Sequence, residues 1–150
     1  TPIETSVGKL GVLVCWDQWY PEAARLMAMA GADLLFYPTA IGSEPADPDY
    51  DSAPHWRNVM KGNAGANLVP VAASNRIGLE TEGDTPITFY GSSFISDEFG
   101  ELVADGDRTS ESVLLATFDL DRVAKHRDQW GLFRDRRPEL YEGVLSFNLK

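Results

Sequence analysis

The sequence is poor in cysteine, histidine and basic side chains, and each shortage excludes a class of function. A single cysteine among 150 residues excludes an internal disulfide framework, and 2 histidines leave too few ligands for a common Cys/His zinc site. The 13 Lys and Arg are outnumbered by 23 Asp and Glu, which gives a formal net charge of −10. That excess argues against nucleic acid or an anionic membrane as a partner. It mildly favours a small cationic ligand, although an acidic surface that only keeps the protein soluble is the more common reason for such a charge. No apolar run approaches the roughly 20 residues that span a bilayer.

The first residues lack the features of an initiation or export signal. The chain opens Thr1-Pro2-Ile3-Glu4, with neither an initiator Met nor the basic and then apolar pattern of a signal peptide. We therefore expect the sequence to begin inside a longer domain. The length fits one domain, and a lone free thiol is typical of a reducing compartment, so we expect a cytoplasmic protein.

Strand and helix patterns alternate from the start of the chain. Residues 10–15 form a nearly continuous apolar run, which predicts a strand buried on both faces. A helix follows over 21–30, with Pro21 in its first turn and Gly31 as a left-handed cap. Residues 34–37 predict a second buried strand that Pro38 ends. This order is typical of a right-handed, parallel βαβ unit.

The rest of the chain predicts a mixed sheet. Residues 39–54 form a long loop broken by glycine and prolines, Pro48 among them, and such loops are often functional. The later elements are a helix over 55–66, a strand over 69–73, a hairpin of 94–96 with 102–104, a strand over 113–118, a helix capped by Asp119 or Asp121 that runs toward Trp130, and an irregular tail over 134–138. The fold class is therefore α/β, with parallel strands first and antiparallel strands later.

Cys15 ends the first strand, where ligands bind in open α/β sheets. The start of the next helix favours a reactive thiolate, and the backbone N–H of Trp16 is placed to donate to an oxyanion. Position alone also allows a buried, inert thiol. A nucleophilic Cys needs a base, and His55 is the one nearby histidine, which leaves a Cys–His pair open.

Ordered segments throughout the chain carry a resemblance to a known family. They are, in order, residues 15–25 (CWDQWYPEAAR), 36–45 (FYPTAIGSEP), 55–56 (HW), 65–70 (GANLVP), 73–78 (ASNRIG), 89–94 (FYGSSF) and 134–141 (RDRRPELY). With these segments the sequence resembles the nitrilase superfamily of carbon–nitrogen hydrolases. Within it, the sequence is most similar to the branch that hydrolyses N-carbamoylputrescine.

The resemblance implies a fold, a reaction and a set of site residues. The family fold is a four-layer α-β-β-α sandwich, of which this chain would form half. Cys15 would be the nucleophile and the Trp16 N–H an oxyanion donor. Glu44 would hold the distal ammonium of the substrate, beside Trp19 and Ala40. N-carbamoylputrescine would yield putrescine, carbon dioxide and ammonia through a carbamoyl-enzyme in polyamine synthesis, with no metal or organic cofactor and in a homo-oligomer.

Two family residues are missing from the expected places. The family's Glu base and its Lys lie upstream of the Cys, where this sequence has only Glu4 and Lys9, and neither matches a family motif. We interpret residues 1–150 as the carboxyl-terminal part of a single hydrolase domain whose amino-terminal half is absent. The sheet should then show open edges and exposed apolar faces. The other half would come from a second chain or have been lost to a break.

Other functions stay open at this point. One alternative is action on another N-carbamoyl amine or amino acid, with Arg76 as the partner of a substrate carboxylate. Others are a non-catalytic assembly half-domain and a hydrolase that uses His55 as its base. We expect Asn75 and Arg76 to brace a loop and Asp17 to accept from a backbone N–H. For Trp16 and Trp19 a place in the core and a place in the pocket wall are both open, and the charged residues 135–137 are expected in ion pairs or subunit contacts.

Overall fold

Apolar strands alternate with amphipathic helices along the chain, and the computed structural model describes residues 1–47 and 49–147. The strands are β1 Ile3–Thr5, β2 Gly8–Val12, β3 Leu34–Thr39, β4 Val71–Asn75, β5 Ile77–Glu82, β6 Thr85–Tyr90, β7 Phe94–Ser96 and β8 Leu102–Asp105. The helices are α1 Pro21–Met29, α2 Ala53–Asn67 and α3 Leu120–Trp130, and short 3₁₀ turns lie at Cys15–Trp19, Pro138–Leu140 and Glu142–Leu145.

The strands build one mixed sheet of six and a separate hairpin. The order in the larger sheet is β1-β2-β3-β4-β7-β8, and β5 pairs with β6. Strands β2, β3 and β4 are parallel, whereas β1, β7 and β8 pair antiparallel with their neighbours. This confirms the predicted βαβ unit, the late hairpin and the mixed α/β sheet.

One face of the sheet carries the core. Alternate side chains of the parallel strands point to this face, among them Leu35 and Tyr37, which are both fully buried. The helix α2 presents Trp56, Met60 and Ala64 to them, and their spacing of four residues places all three on one side of the helix. The core therefore lies between the sheet and the helices α1 and α2.

The opposite face of the sheet is open and apolar. A row of paired residues crosses five strands in register: Val12 with Phe36, Phe36 with Ala72, Ala72 with Ile95, and Ile95 with Ala104. Val12 is 39% exposed, because within the described residues no second layer covers this face. The prediction of a first strand buried on both faces is therefore wrong for the described chain, whereas the expected exposed apolar face is present.

The end of β3 differs from the prediction. The strand continues through Pro38 to Thr39, where we had expected the proline to end it. The backbone groups of Phe36 face β2, since its carbonyl accepts the N–H of Leu13 at 2.9 Å. The backbone groups of Pro38, two residues further along β3, also point toward the β2 side, but β2 has already ended at Val12. Pro38 therefore loses no ladder hydrogen bond, and a proline is tolerated at such an edge.

Three other element predictions need correction. Residues 113–118 form no strand, because no neighbouring strand lies beside them in the described chain, and Val113 and Leu115 are 85% and 84% exposed. The hairpin β5–β6 was missed, since its residues alternate in no clear apolar pattern. The helix predicted over 55–66 begins earlier, with Pro54 in the first turn of α2, and the strand predicted from 69 begins at Val71.

The helix ends agree with the capping residues read from the sequence. Gly31 follows α1 with a φ of 91°, and Asp119 caps α3 by accepting the N–H of Arg122 at 3.0 Å. Arg127 of α3 donates to the Leu68 carbonyl at 3.2 Å and so joins α3 to the end of α2. Burial lowers the pKa of that guanidinium from its ordinary value. In the described residues, no helix is long and apolar enough to cross a membrane.

Candidate functional site

The single cysteine lies at a sharp turn beyond the carboxyl end of β2. Cys15 is half-buried and has a φ of 46°, in the left-handed region that residues other than glycine seldom adopt. Asp17 holds the turn, because its carboxylate accepts the Val14 N–H at 2.9 Å while its own N–H donates to the Val14 carbonyl at 3.1 Å. This confirms the expected backbone contact of Asp17. Unusual backbone of this kind clusters at functional sites.

A 3₁₀ turn, and not an α-helix, follows the thiol directly. The sequence predicted a helix start beside Cys15, but the segment Cys15–Trp19 is a 3₁₀ turn and α1 begins only at Pro21. Cys15 is therefore the first residue of a 3₁₀ turn of five residues. The oxyanion role of the Trp16 N–H stays a prediction.

A buried glutamine fixes this turn to the rest of the fold. The Gln18 side chain is 1% exposed, and its Oε1 accepts the Trp56 indole N–H at 2.6 Å and the Thr39 hydroxyl at 3.2 Å. Asn63 of α2 also donates to the Gln18 backbone carbonyl at 3.0 Å. An indole N–H can only donate, so it sets the orientation of the amide. The turn is thus held to the end of β3 and to α2.

The two tryptophans of the turn have different environments. Trp16 is 66% exposed, whereas Trp19 is half-buried and packs against the core. Their rings meet edge to face with centroids 6.1 Å apart. Trp19 also lies 5.0 Å from the ring of His55, which is exposed in the first turn of α2. This contact joins His55 to Trp19 and does not test a pairing of His55 with the Cys15 thiol, so the Cys–His pair stays a hypothesis. Ala40 is exposed just after β3.

Glu44 lies in the loop that follows β3. Its Oε1 accepts the Ser52 hydroxyl at 3.2 Å. The Ser52 hydroxyl lies 3.1 Å from the Tyr90 hydroxyl, and the Ser52 N–H donates to the same Tyr90 oxygen at 3.2 Å. Ser52 and Tyr90 are 5% and 6% exposed, whereas Glu44 is exposed. The loop therefore presents its carboxylate to solvent on two buried hydroxyls. Pro48, predicted to break this loop, lies outside the described residues.

The start of the loop is held by a close approach to β6. Ser43 exchanges two hydrogen bonds of 2.9 Å with Thr88, through its N–H and its hydroxyl. A Cβ added at Gly42 would lie 2.6 Å from the Thr88 carbonyl, so only glycine fits there without a backbone shift. This contact places Glu44 at a defined point beside the hairpin.

Asn75 and Arg76 take the bracing roles expected of them. Asn75 accepts the Ile41 N–H at 2.9 Å and donates to the carbonyls of Ile41 and Gly91 at 2.9 and 3.0 Å. The Arg76 guanidinium pairs with Glu80 and lies 4.7 Å from the centre of the Phe89 ring. Arg76 is therefore already engaged by a carboxylate of its own chain.

The two upstream charged residues lie far from the thiol along β2. Glu4 and Lys9 are paired across β1 and β2, with Lys9 Nζ 3.0 Å from the Glu4 carboxylate. They belong to the amino end of β2, whereas Cys15 follows its carboxyl end. Among the described residues there is no group of three or more Cys, His, Asp or Glu that could hold a metal ion.

The fold and the site define a class of protein. An α/β sheet presents a lone thiol at the end of a parallel strand, and an exposed carboxylate lies in the loop after the adjacent strand. The family model for carbon–nitrogen hydrolases matches residues 1–128. The chain belongs to the carbon–nitrogen hydrolase family.

Curated relatives show which members of the family this chain is similar to. The chain is 58% identical to an N-carbamoylputrescine amidase of Arabidopsis thaliana over 149 residues, which cover 97% of this chain and 50% of the relative. It is 56% identical to a citrullinase of Francisella tularensis over 142 residues, which cover 95% of the chain and 50% of the relative. The chain thus spans about half the length of the curated relatives it matches.

Solved structures agree on the fold. A carbon–nitrogen hydrolase from Helicobacter pylori superposes with a TM-score of 0.88 at 43% identity, over 99% of this chain and 53% of that one. Saccharomyces cerevisiae Nit3, a member of the nitrilase superfamily, superposes with a TM-score of 0.73 at 30% identity, over 91% of this chain and 47% of that one. The fold is therefore of the nitrilase type, and the described layers correspond to half of such a domain.

Proposed function

We propose that this protein hydrolyses N-carbamoyl amines whose far end is cationic, with N-carbamoylputrescine as the preferred substrate and Cys15 as the nucleophile. One observation carries the proposal. Cys15 is held in a left-handed turn that Gln18 connects to Trp56, in the first turn of α2. The residue before α2 is Ser52, which donates to Glu44. A single helical turn therefore relates a nucleophile to an exposed carboxylate.

The chemistry follows from a thiolate and a ureido group. The Cys15 sulfur attacks the ureido carbon, and the carbon–oxygen double bond becomes an oxyanion, for which the Trp16 N–H is our proposed donor. The oxyanion collapses and the terminal carbon–nitrogen bond breaks; the leaving nitrogen takes up the proton that the Cys15 thiol gave up and departs as ammonia. Water then attacks the carbamoyl-enzyme and frees the thiol and a carbamic acid. The carbamic acid loses carbon dioxide and leaves putrescine, a product that would enter polyamine synthesis.

The charge of the loop supports a cationic substrate. The loop carries four acidic residues, Glu44, Asp47, Asp49 and Asp51. Of these, Asp51 pairs with Arg108 at 2.6 Å. Among the described residues, no Lys or Arg forms an ion pair with Glu44. An ammonium group of the substrate would supply that missing partner. Trp19, in the Cys15 turn, and Ala40, just after β3, are proposed to line the alkyl chain.

Citrulline is the competing substrate, because one curated relative is a citrullinase. Citrulline also has a ureido group and an ammonium group, but it adds a carboxylate that needs a cationic partner. Arg76 and Arg108, which lie over the rings of Phe89 and Tyr90, are each already paired with a carboxylate of the chain. Repulsion from Glu44 would further disfavour a carboxylate. These contacts favour N-carbamoylputrescine over citrulline and over N-carbamoyl amino acids.

We further propose that the activity needs the half of the domain that relatives have and these residues do not include. The open apolar row of β2, β3, β4, β7 and β8 is suited to contact with a second sheet, as in a four-layer sandwich. Glu4 and Lys9 pair with each other at the far end of β2 and so are poor candidates for base and oxyanion partner. Full turnover would then be absent from residues 1–150 expressed alone and present in the complete gene product.

The test compares three ureido compounds on the complete gene product. Ammonia release is measured with N-carbamoylputrescine, citrulline and N-carbamoyl-β-alanine, and then repeated with Cys15→Ser and Glu44→Gln. We expect the first compound to have the highest kcat/KM, Cys15→Ser to abolish turnover and Glu44→Gln to remove the preference for the diamine derivative. Unchanged preference in Glu44→Gln, or turnover in Cys15→Ser, contradicts the proposal. Slow iodoacetamide labelling of Cys15 with no turnover would instead indicate a non-catalytic assembly domain.

A further inference from the structure

Ser52 and Tyr90 form a hydrogen-bonded pair beneath Glu44, and the direction of each hydrogen bond can be worked out. An ionised carboxylate only accepts, so the Ser52 hydroxyl gives its one proton to Glu44 across 3.2 Å. Ser52 then has only lone pairs left for the Tyr90 hydroxyl, which lies 3.1 Å away. Tyr90 must therefore donate to Ser52. Its oxygen in turn accepts the Ser52 backbone N–H at 3.2 Å.

This ordered chain from Tyr90 through Ser52 to Glu44 starts in the core and ends at the surface. Both hydroxyls are more than nine-tenths buried, whereas the carboxylate is exposed. Arg108 lies 5.5 Å from the centre of the Tyr90 ring and is neutralised by Asp51. The guanidinium over the Tyr90 ring is thus already paired, and among the described residues no Lys or Arg forms an ion pair with Glu44.

We propose that Ser52 and Tyr90 are specificity-determining positioning residues that orient Glu44 toward the ammonium group of the substrate. This inference rests on the proposed function, since it assigns a mechanism to the recognition of a cationic far end. Ser52 fixes one carboxylate oxygen and leaves the other free for the cation. Tyr90 fixes the rotamer of Ser52, because it both donates to the hydroxyl and accepts from the backbone of the same residue.

The position of the pair explains why it would act on recognition and not on the reaction. Ser52 directly precedes α2, and Trp56, one turn later, holds Gln18 in the Cys15 turn. The backbone N–H of Trp56 donates to the Ser52 carbonyl at 2.9 Å, so the helix fixes the backbone at Ser52. Loss of the Ser52 hydroxyl therefore removes the contact to Glu44 and leaves the helix and the Cys15 turn in place.

The test measures a substrate that has the ammonium group against one that lacks it. N-carbamoylputrescine and N-butylurea share the ureido group and the four-carbon chain, but only the first is cationic. In the complete gene product we expect Tyr90→Phe to lower kcat/KM for N-carbamoylputrescine about 5-fold and Ser52→Ala to lower it by roughly 10-fold or more, through KM. N-butylurea should be unaffected in both variants, and Ser52→Thr, which keeps the hydroxyl, should restore the cationic substrate.

A matched control and a binding measurement complete the design. Tyr50→Phe makes the same chemical change in the same loop, at a side chain that is 48% exposed, and should leave both substrates unchanged. Calorimetric binding of N-carbamoylputrescine to the Cys15→Ala protein should weaken by the same factors. If Tyr90→Phe does not fold, the comparison of Ser52→Ala with Ser52→Thr decides the question.

The outcomes separate this inference from the proposed function. Equal losses for both substrates would show that the pair only supports the loop, and no loss for either would show that Glu44 does not need it, so each result overturns the inference. If the unmodified protein shows no preference for N-carbamoylputrescine over N-butylurea, the recognition role of Glu44 fails first. If that preference stands and the variants erase it, the inference holds.

Discussion

Replacing Gln18 by methionine tests whether the buried amide holds the Cys15 turn. The change keeps the size of the side chain but removes the oxygen that accepts the Trp56 indole and the Thr39 hydroxyl. Trp56 is fully buried, so its indole N–H would lose the only partner it has among the described residues, at about 1–3 kcal/mol. The Gln18 amide nitrogen is itself buried and has no partner within the described part of the chain, so its removal offsets part of this loss. We expect a net destabilisation of about 2 kcal/mol, or roughly 4–8 °C in Tm.

The assay is urea unfolding of the complete gene product, together with the iodoacetamide labelling rate of Cys15. A looser turn should alter the labelling rate along with the stability. The control is the pair Trp56→Phe and Gln18→Met in one protein, which removes donor and acceptor together and should be less destabilised than the sum of the single variants. A single-variant loss below about 0.5 kcal/mol, or strictly additive effects, would refute a holding role for Gln18.

Three further predictions concern the loop, the pH dependence and the open face. Gly42→Ala forces a Cβ to within 2.6 Å of a β6 carbonyl and should cost about 1–3 kcal/mol, whereas Gly62→Ala, with nothing within 4 Å, should stabilise α2 in the same unfolding assay. Hydrogen bonds from the backbone N–H groups of Ser110 and Thr109 lower the pKa of the Asp107 carboxyl from 3.8 to about 2. The contribution of Asp107 to folding stability is therefore complete above pH 3.8 and disappears as the pH falls toward 2. Asp107→Asn should make the free energy of unfolding depend less on pH in that range. Val12→Lys places a charge on the open apolar face and should raise the soluble yield of residues 1–150 expressed alone, whereas Val7→Lys, in an exposed turn, should not. Equal yields would contradict the idea that this face causes aggregation.

The parallel part of the fold was predictable because it depends on local patterns. Continuous apolar runs marked β2 and β3, and Gly31 and Asp119 marked helix ends at the correct residues. The same logic failed for residues 113–118, whose nearly continuous apolar run predicts a strand. A strand needs a neighbour to pair with, and the described chain supplies none. Local preference was present there without the tertiary partner that would realise it.

The hairpin β5–β6 shows the opposite failure. Its residues are mostly exposed, so no apolar alternation marks the strands. The usable signal was the turn, because Gly83 with a φ of 59° and Asp84 form a two-residue link between paired Glu82 and Thr85. Glycine followed by a polar residue at such a spacing predicts a tight hairpin even where the strands themselves are polar.

The position of the candidate site could be predicted from the sequence, but the buried residues that hold it in place could not. A cysteine at the end of a parallel strand and a glutamate in the following loop could be read from the sequence. Gln18, Ser52 and Tyr90 could not, since a glutamine in a loop, a serine before a helix and a tyrosine ending a strand have no pattern that predicts burial. Their roles come from contacts between segments 38 residues apart, which only the folded chain brings together.

The first turn of α2 gives this arrangement its functional logic. Ser52 and Trp56 lie one helical turn apart, and each donates into a different part of the site, one to Glu44 and the other to Gln18. A helix is stiff along its axis, so the Glu44 loop and the Cys15 turn keep a fixed separation, while the polar contact at each end can change independently. Substitution at the Ser52 end should therefore alter which amine is accepted without moving the thiol. This separation is consistent with a family that contains both an N-carbamoylputrescine amidase and a citrullinase at similar identity to this chain.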